Sequence, residues 1–238
     1  MNRLAMMILK NIHLFPGAYA KLCSHAKHTD TVPEAEKYGH IRWMLQRAVG
    51  AGNIHIEATG MENIPREEGF IAYANHQGLF DVVALVVTCE APMAAVFKKE
   101  LSDVPLVKQI IACTKSFSMD REDVRQSLGV IQNVVSEVKA GRNYLIFPEG
   151  TRSKKGNEML DFHGGSFKAA LKARCSVLPI AFIDSFKVLD QKGTAPVSMQ
   201  IHYLPPIPYE EYKDLKAVEL AALVKERIQS VMDQHTKE

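Results

Sequence analysis

Phe70-Ile71-Ala72-Tyr73-Ala74-Asn75-His76-Gln77-Gly78-Leu79-Phe80-Asp81 is an apolar run that stops at a polar turn containing one glycine. The five apolar residues read as a buried strand, and the stretch 79–89 that follows reads as a buried helix. A strand passed to a helix through a short turn is a building unit of α/β folds. The same turn carries an imidazole and a carboxylate five residues apart. Along a continuous helix five residues span about 500°, which leaves the two side chains roughly 140° apart. A strand would also place them on opposite faces. They meet if His76 lies on the turn and Asp81 in the first turn of the helix. There the carboxylate accepts the Nδ1 proton and fixes the tautomer, leaving Nε2 to act as a general base. No protein nucleophile accompanies the pair, so the nucleophile is expected to be a hydroxyl of the substrate.

A second strand and turn follow the same logic. Tyr144-Leu145-Ile146-Phe147 reads as a buried strand running into Pro148-Glu149-Gly150-Thr151-Arg152-Ser153. Pro148 ends the strand and Gly150 allows a tight turn. Glu149, Thr151, Arg152 and Ser153 then sit at a strand's carboxyl end, where open α/β sheets bind ligands. Arg152 offers a planar fork for a phosphate or carboxylate.

His76 and Asp81 match the HX4D motif of the glycerolipid acyltransferase family, and residues 147–153 resemble its FPEGTRS block. Phe97-Lys98-Lys99-Glu100-Leu101 is similar to its KKEL segment. Met119-Asp120-Arg121 resembles the end of its second block, and Val177-Leu178-Pro179-Ile180-Ala181 its fourth. The five blocks occur in the family's order across residues 70–182, nearest to the bacterial 1-acylglycerol-3-phosphate acyltransferases. One position departs: the second block usually opens with glycine, and Lys115 stands there.

The resemblance implies a fold like that of glycerol-3-phosphate acyltransferase, with a mixed, mostly parallel sheet flanked by helices. It implies acyl transfer from acyl-CoA or acyl carrier protein to the sn-2 hydroxyl of lysophosphatidic acid, giving phosphatidic acid. His76 and Asp81 would be the catalytic pair, with the N–H groups of Gln77 and Gly78 as oxyanion donors. Arg121, Arg152, Lys98 and Lys99 would bind phosphate. Glu149, Gly150 and Thr151 would complete the glycerol-phosphate site, Glu149 by meeting a glycerol hydroxyl or holding Arg152. Pro179 would line the acyl site on the resemblance alone, and a core strand explains the same residues better. No metal or bound cofactor is implied. Other lysophospholipids, glycerol 3-phosphate or a lipid-A precursor remain open as acceptors. A non-catalytic lipid-binding role also remains open.

The 238 residues, 47% hydrophobic, are enough for one compact domain. A net charge of +2 and the lack of a recognised module argue against nucleic acid. Eight Lys/Arg against three acids between Lys139 and Arg174 make a local basic excess expected to surround Arg152. The four cysteines (23, 89, 113, 175) lack metal spacing and read as reduced core residues of a cytosolic protein. No segment reaches the roughly 18 apolar residues that span a bilayer. Arg3 followed by an apolar stretch is a poor signal peptide, since Lys10 and His13 interrupt it.

Residues 1–50 read as a separate helical hairpin, and residues 51–238 as the catalytic domain. Leu4, Ile8, Ile12 and Phe15 fall at helical spacing, Pro16-Gly17 is expected to break that helix, and a second helix is expected over 34–49. With Arg3, Lys10, Lys21 and Trp43, the hairpin suits a membrane interface, the cytoplasmic face of the cell membrane on this reading. Packing on the core is the competing expectation. Strands are expected at 54–59, 94–97, 117–119, 177–181 and 197–204. Helices are expected at 104–112, 122–139, 166–174 (N-cap Ser166) and 216–233.

Overall fold

The structure is a computed structural model that describes residues 2–66, 68–120 and 123–236. Three helices open the chain: α1 (Arg3–Lys10), α2 (Phe15–Lys27) and α3 (Glu34–Ala51). Strand β1 (Ile54–Thr59) precedes β2 (Phe70–Ala74), α4 (Asp81–Thr88) and β3 (Met93–Lys98). Then come α5 (Val107–Cys113), β4 (Phe117–Met119), α6 (Val124–Lys139), β5 (Asn143–Ile146) and α7 (Gly164–Ala173). The chain closes with β6 (Ser176–Ile183), α8 (Phe186–Leu189), β7 (Val197–Tyr203), α9 (Tyr209–Tyr212) and α10 (Ala217–His235).

The sheet runs β1-β7-β6-β2-β5-β3-β4. Every pairing is parallel except β6 with β7. The mixed, mostly parallel sheet expected from the sequence is the one observed. From β2 the chain moves out to β3 and β4, returns to β5, and then crosses to β6 on the other side. The order therefore reverses around β2, and the crevice beyond its carboxyl end is where such sheets bind ligands.

Period-two alternation explains why β2 is apolar throughout. Phe70, Ala72 and Ala74 face one core with Leu22, Tyr38 and Ile41 from the opening helices and Phe80 and Leu85 around α4. Ile71 and Tyr73 face a second core with Val134 of α6, Phe167 of α7 and Leu220 and Val224 of α10. The helices of residues 1–50 thus contribute side chains to one of the two cores that sandwich the sheet.

Three expectations are corrected here. Residues 1–50 hold three helices rather than two. The break comes before Pro16, which sits in the first turn of α2, where a missing N–H costs nothing. Ser166 does not cap α7; its hydroxyl donates to the carbonyl of His163, the residue that precedes the helix. The basic excess is also split. Arg142 lies ahead of β5, at the amino edge of the sheet, half-buried against Glu34 and Glu137. Lys115, with φ of +48°, takes the left-handed conformation that glycine adopts freely. Its Nζ lies 3.0 Å from Asp30.

Among the described residues no helix is long and apolar enough to cross a membrane. The four cysteines are free, and burial raises the thiols of Cys89 and Cys113 to about 11 and that of Cys175 to about 12.

Candidate active site

Strand register brings the two motif turns together. Tyr73 of β2 pairs with Ile146 of β5, so three residues further on His76 stands beside Glu149. The contact is reciprocal. The His76 N–H donates to Glu149 Oε1 at 2.7 Å, and the Ser153 N–H donates to the His76 carbonyl at 2.9 Å. Asn75 ties the same turn to β6: its side chain donates to the Phe182 carbonyl and accepts from the Phe182 N–H.

Nδ1 of His76 lies 2.7 Å from Oδ2 of Asp81, the first residue of α4. Asp81 is fully buried, and a carboxylate stays ionised there only if donors surround it. Oδ2 also accepts from the N–H groups of Gln77 (2.8 Å) and Gly78 (3.1 Å), while Oδ1 accepts from the Ser185 hydroxyl. The partner on Nδ1 makes it the protonated nitrogen. Nε2 makes no hydrogen bond among the described residues, and the ring stacks on Phe147 with centroids 4.0 Å apart.

This geometry corrects three assignments. The N–H groups of Gln77 and Gly78 point at Asp81, so neither is free for an oxyanion; the turn spends them on keeping a buried carboxylate charged. Glu149 neither holds Arg152 nor faces solvent. It is buried, with Oε1 on the His76 N–H and Oε2 on the Leu160 N–H. Burial pushes its carboxyl up, and those two N–H groups oppose the shift. Glu149 is therefore a brace between loops. Pro179 sits in mid-strand, buried across from Tyr73, its carbonyl accepting from Leu204. β6 continues four residues past it, roughly 13 Å, before reaching the loop layer. Pro179 thus lines no part of the groove beside Phe147.

The brace has a measurable consequence. In Glu149→Gln, one end of the side chain becomes an amide N–H2 facing a backbone N–H. Stability is expected to fall by about 1–3 kcal/mol in thermal or urea unfolding. A variant as stable as the parent would show that the brace carries no weight.

The cations lie on the same edge of the sheet but are individually paired. Arg152 reaches Asp190 at 3.1 Å, both about one-third exposed. At the end of β3, Lys98 pairs with Glu100 at 2.6 Å and Lys99 with Asp120 at 3.1 Å. Arg121 lies outside the described residues. Gly150, with φ of +71°, makes the turn that carries exposed Thr151 and then Arg152. A groove of about 590 Å³ opens beside Phe147, Glu149 and Gly150. Val96, Met119, Leu128, Ile131 and Ile146 form its apolar walls.

A family model described as Acyltransferase matches residues 55–183, more than half of the chain. The chain belongs to the acyltransferase family. The 1-acyl-sn-glycerol-3-phosphate acyltransferase of Escherichia coli is 31% identical to this acyltransferase over 169 residues, covering 71% of this chain and 67% of that one. The protein of the same name from Borreliella burgdorferi is 26% identical over 190 residues, covering 79% and 76%. The crystal structure of the 1-acyl-sn-glycerophosphate (LPA) acyltransferase PlsC from Thermotoga maritima superposes with a TM-score of 0.75. It covers 98% of this acyltransferase and 99% of that chain at 20% identity, which speaks to the fold.

The sequence did not point to Ser185, Asn157 or Asp190. β6 runs two residues past its expected end, to Ile183, and so makes 184–190, a segment that contains α8, a third connection at the ligand edge. Asp184 adopts φ of +62°, steadied by Asn157, which donates to its carboxylate and accepts from its N–H. Gly78 faces this segment. A β-carbon there would come within 2.7 Å of Asp190 Oδ2 and 3.1 Å of the Phe186 Cα.

Proposed function

We propose that this acyltransferase moves a fatty acyl group from a thioester, acyl-CoA or acyl carrier protein, to the sn-2 hydroxyl of 1-acyl-glycerol 3-phosphate. The observation that carries the reading is the open Nε2 of a histidine whose Nδ1 is pinned by a buried carboxylate, one loop away from Arg152. Nε2 removes the hydroxyl proton as the oxygen attacks the thioester carbonyl. Asp81 stabilises the imidazolium. The tetrahedral intermediate then collapses, the C–S bond breaks, and the imidazolium returns the proton to the leaving thiolate.

Arg152 holds the phosphate, and this fixes the acceptor hydroxyl near His76. Asp190 has to give way. Their ion pair is partly exposed, and such a pair is worth about 1 kcal/mol at most. A phosphate monoester carrying close to two charges outcompetes a single carboxylate. The apolar groove beside Phe147 takes an acyl chain. Arg152→Ala is expected to raise the acceptor KM about 10- to 100-fold, the loss of a charge-assisted contact. Steady-state kinetics with lysophosphatidic acid would show this, and an unchanged KM would remove the assignment.

Interfacial docking on a cytoplasmic membrane surface fits the free face of α1. Leu4, Ile8 and Leu9 on that helix, and Ile12 and Phe15 just after it, are roughly half exposed. Arg3 takes no part, because it is buried and donates to the carbonyls of Val188, Gly52 and Ala195. Changing Leu4, Ile8, Leu9 and Ile12 together to serine is expected to weaken liposome binding about tenfold or more. Turnover on a short-chain, water-soluble acceptor should stay intact. Unaltered sedimentation with liposomes would exclude docking through this face.

An activity matrix of acceptors against donors tests the whole reading. Lysophosphatidic acid is expected to be acylated far faster than glycerol 3-phosphate or lysophospholipids without a terminal phosphate. A different preferred acceptor would replace this substrate, and no turnover with any pair would leave a lipid-binding role.

A further inference from the structure

Asp81 receives three of its four hydrogen bonds on Oδ2, all from its own turn. Oδ1 has one partner among the described residues, the Ser185 hydroxyl, which arrives from 104 residues away at the end of β6. Ser185 is fully buried. Its own N–H donates to Gln77 Oε1 at 3.1 Å, and its hydroxyl has a second acceptor in that same oxygen at 3.2 Å. A hydroxyl has a single proton, and the shorter bond to a carboxylate is the stronger one. Gln77 is fixed in turn by Asn157, to which its amide donates at 2.9 Å.

From this we infer that Ser185 is a positioning residue for acyl transfer. It locks the carboxylate plane of Asp81 and draws negative charge toward Oδ1, which sets how strongly Oδ2 supports the imidazolium of His76. The inference rests on the reaction proposed above and adds to it a member from a third loop. The turn's three donors all converge on Oδ2 and hold that side of the carboxylate. Ser185 supplies the other side. The ionisable groups around the contact are His76, Glu149 on the β5 loop, and Asp184, Lys187 and Asp190 on the segment of Ser185 itself.

The variant Ser185→Ala removes one oxygen atom from a packed site and should fold, as a thermal melt would verify. Its kcat is expected to fall about tenfold or more, the cost of losing a hydrogen bond to a charged group. Both KM values should stay within about twofold of the parent, because Ser185 touches neither substrate. The acid limb of the kcat/KM profile should move to higher pH, since an undiluted carboxylate charge favours the protonated ring. In an Asp81→Asn background the same change should cost little, because the hydroxyl acts through the carboxylate. Unchanged turnover in Ser185→Ala would overturn the inference. So would a loss that leaves the acid limb in place and adds in full to that of Asp81→Asn, because that pattern marks packing alone. The downfield proton resonance of His76 Nδ1–H in the unliganded protein separates the two levels. If it moves in Ser185→Ala while no lysophospholipid is acylated, the substrate reading fails and the positioning role stands. If acylation proceeds and the resonance does not move, the positioning role fails alone.

Discussion

Replacing His76 by alanine is expected to lower turnover about ten-thousandfold while liposome binding survives, the loss that follows when a general base is removed. The argument is one of position. His76 sits on a turn whose backbone is held from Glu149, Ser153 and Asn75, so deleting the ring does not release the loop. The ring contributes its stack on Phe147 and its contact with Asp81, and leaves the cores intact. Circular dichroism and melting should therefore change little. Turnover within tenfold of the parent would show that the substrate hydroxyl is activated elsewhere.

Asp81→Asn is expected to lower turnover about a hundredfold to ten-thousandfold at nearly constant stability, by removing charge rather than shape. The donors dictate which way the new amide points. Its oxygen must take the Oδ2 place, where three N–H groups converge, and its N–H2 then faces Ser185, whose hydroxyl can turn to accept. The imidazole keeps its tautomer and its orientation. What disappears is the anion that supports the imidazolium. Asp81→Ala would be a poorer probe, because it strands those donors in a buried site. Single-turnover rates and melting temperatures for Asp81→Asn decide the matter. Retention of more than a tenth of the rate would reduce Asp81 to a structural tie within its turn.

The frame of the molecule was legible because burial leaves a plain trace. β2 and β5 are short apolar runs ended by a polar turn, and all seven strands lie at or near where periodicity places them. The pairing of His76 with Asp81 was legible too, since its geometry closes within six residues. What the turn does with Gln77 and Gly78 was not, because backbone N–H groups carry no residue signature. Glu149 was misread for a related reason: a carboxylate in a polar loop looks like a ligand for substrate until the backbone donors around it are seen. Of the two readings of Pro179 the core strand holds, because β6 extends further than its strongest apolar core. Ser185 depends on tertiary proximity across 104 residues and Asp190 on a partner 38 residues away, which no local pattern encodes. The break expected at Pro16-Gly17 falls a few residues earlier, since the same ring that breaks a helix interior starts a helix well.

Arg3 is joined to Val188 and Ala195, 185 and 192 residues further along. On the ribosome those carbonyls emerge long after Arg3, so α1 waits for β6 and the segment beyond it before its guanidinium finds them. Until then the guanidinium has only the Gly52 carbonyl to donate to, and contacts of such long range close slowly. The seat of α1 is therefore completed late, at a time set by translation speed.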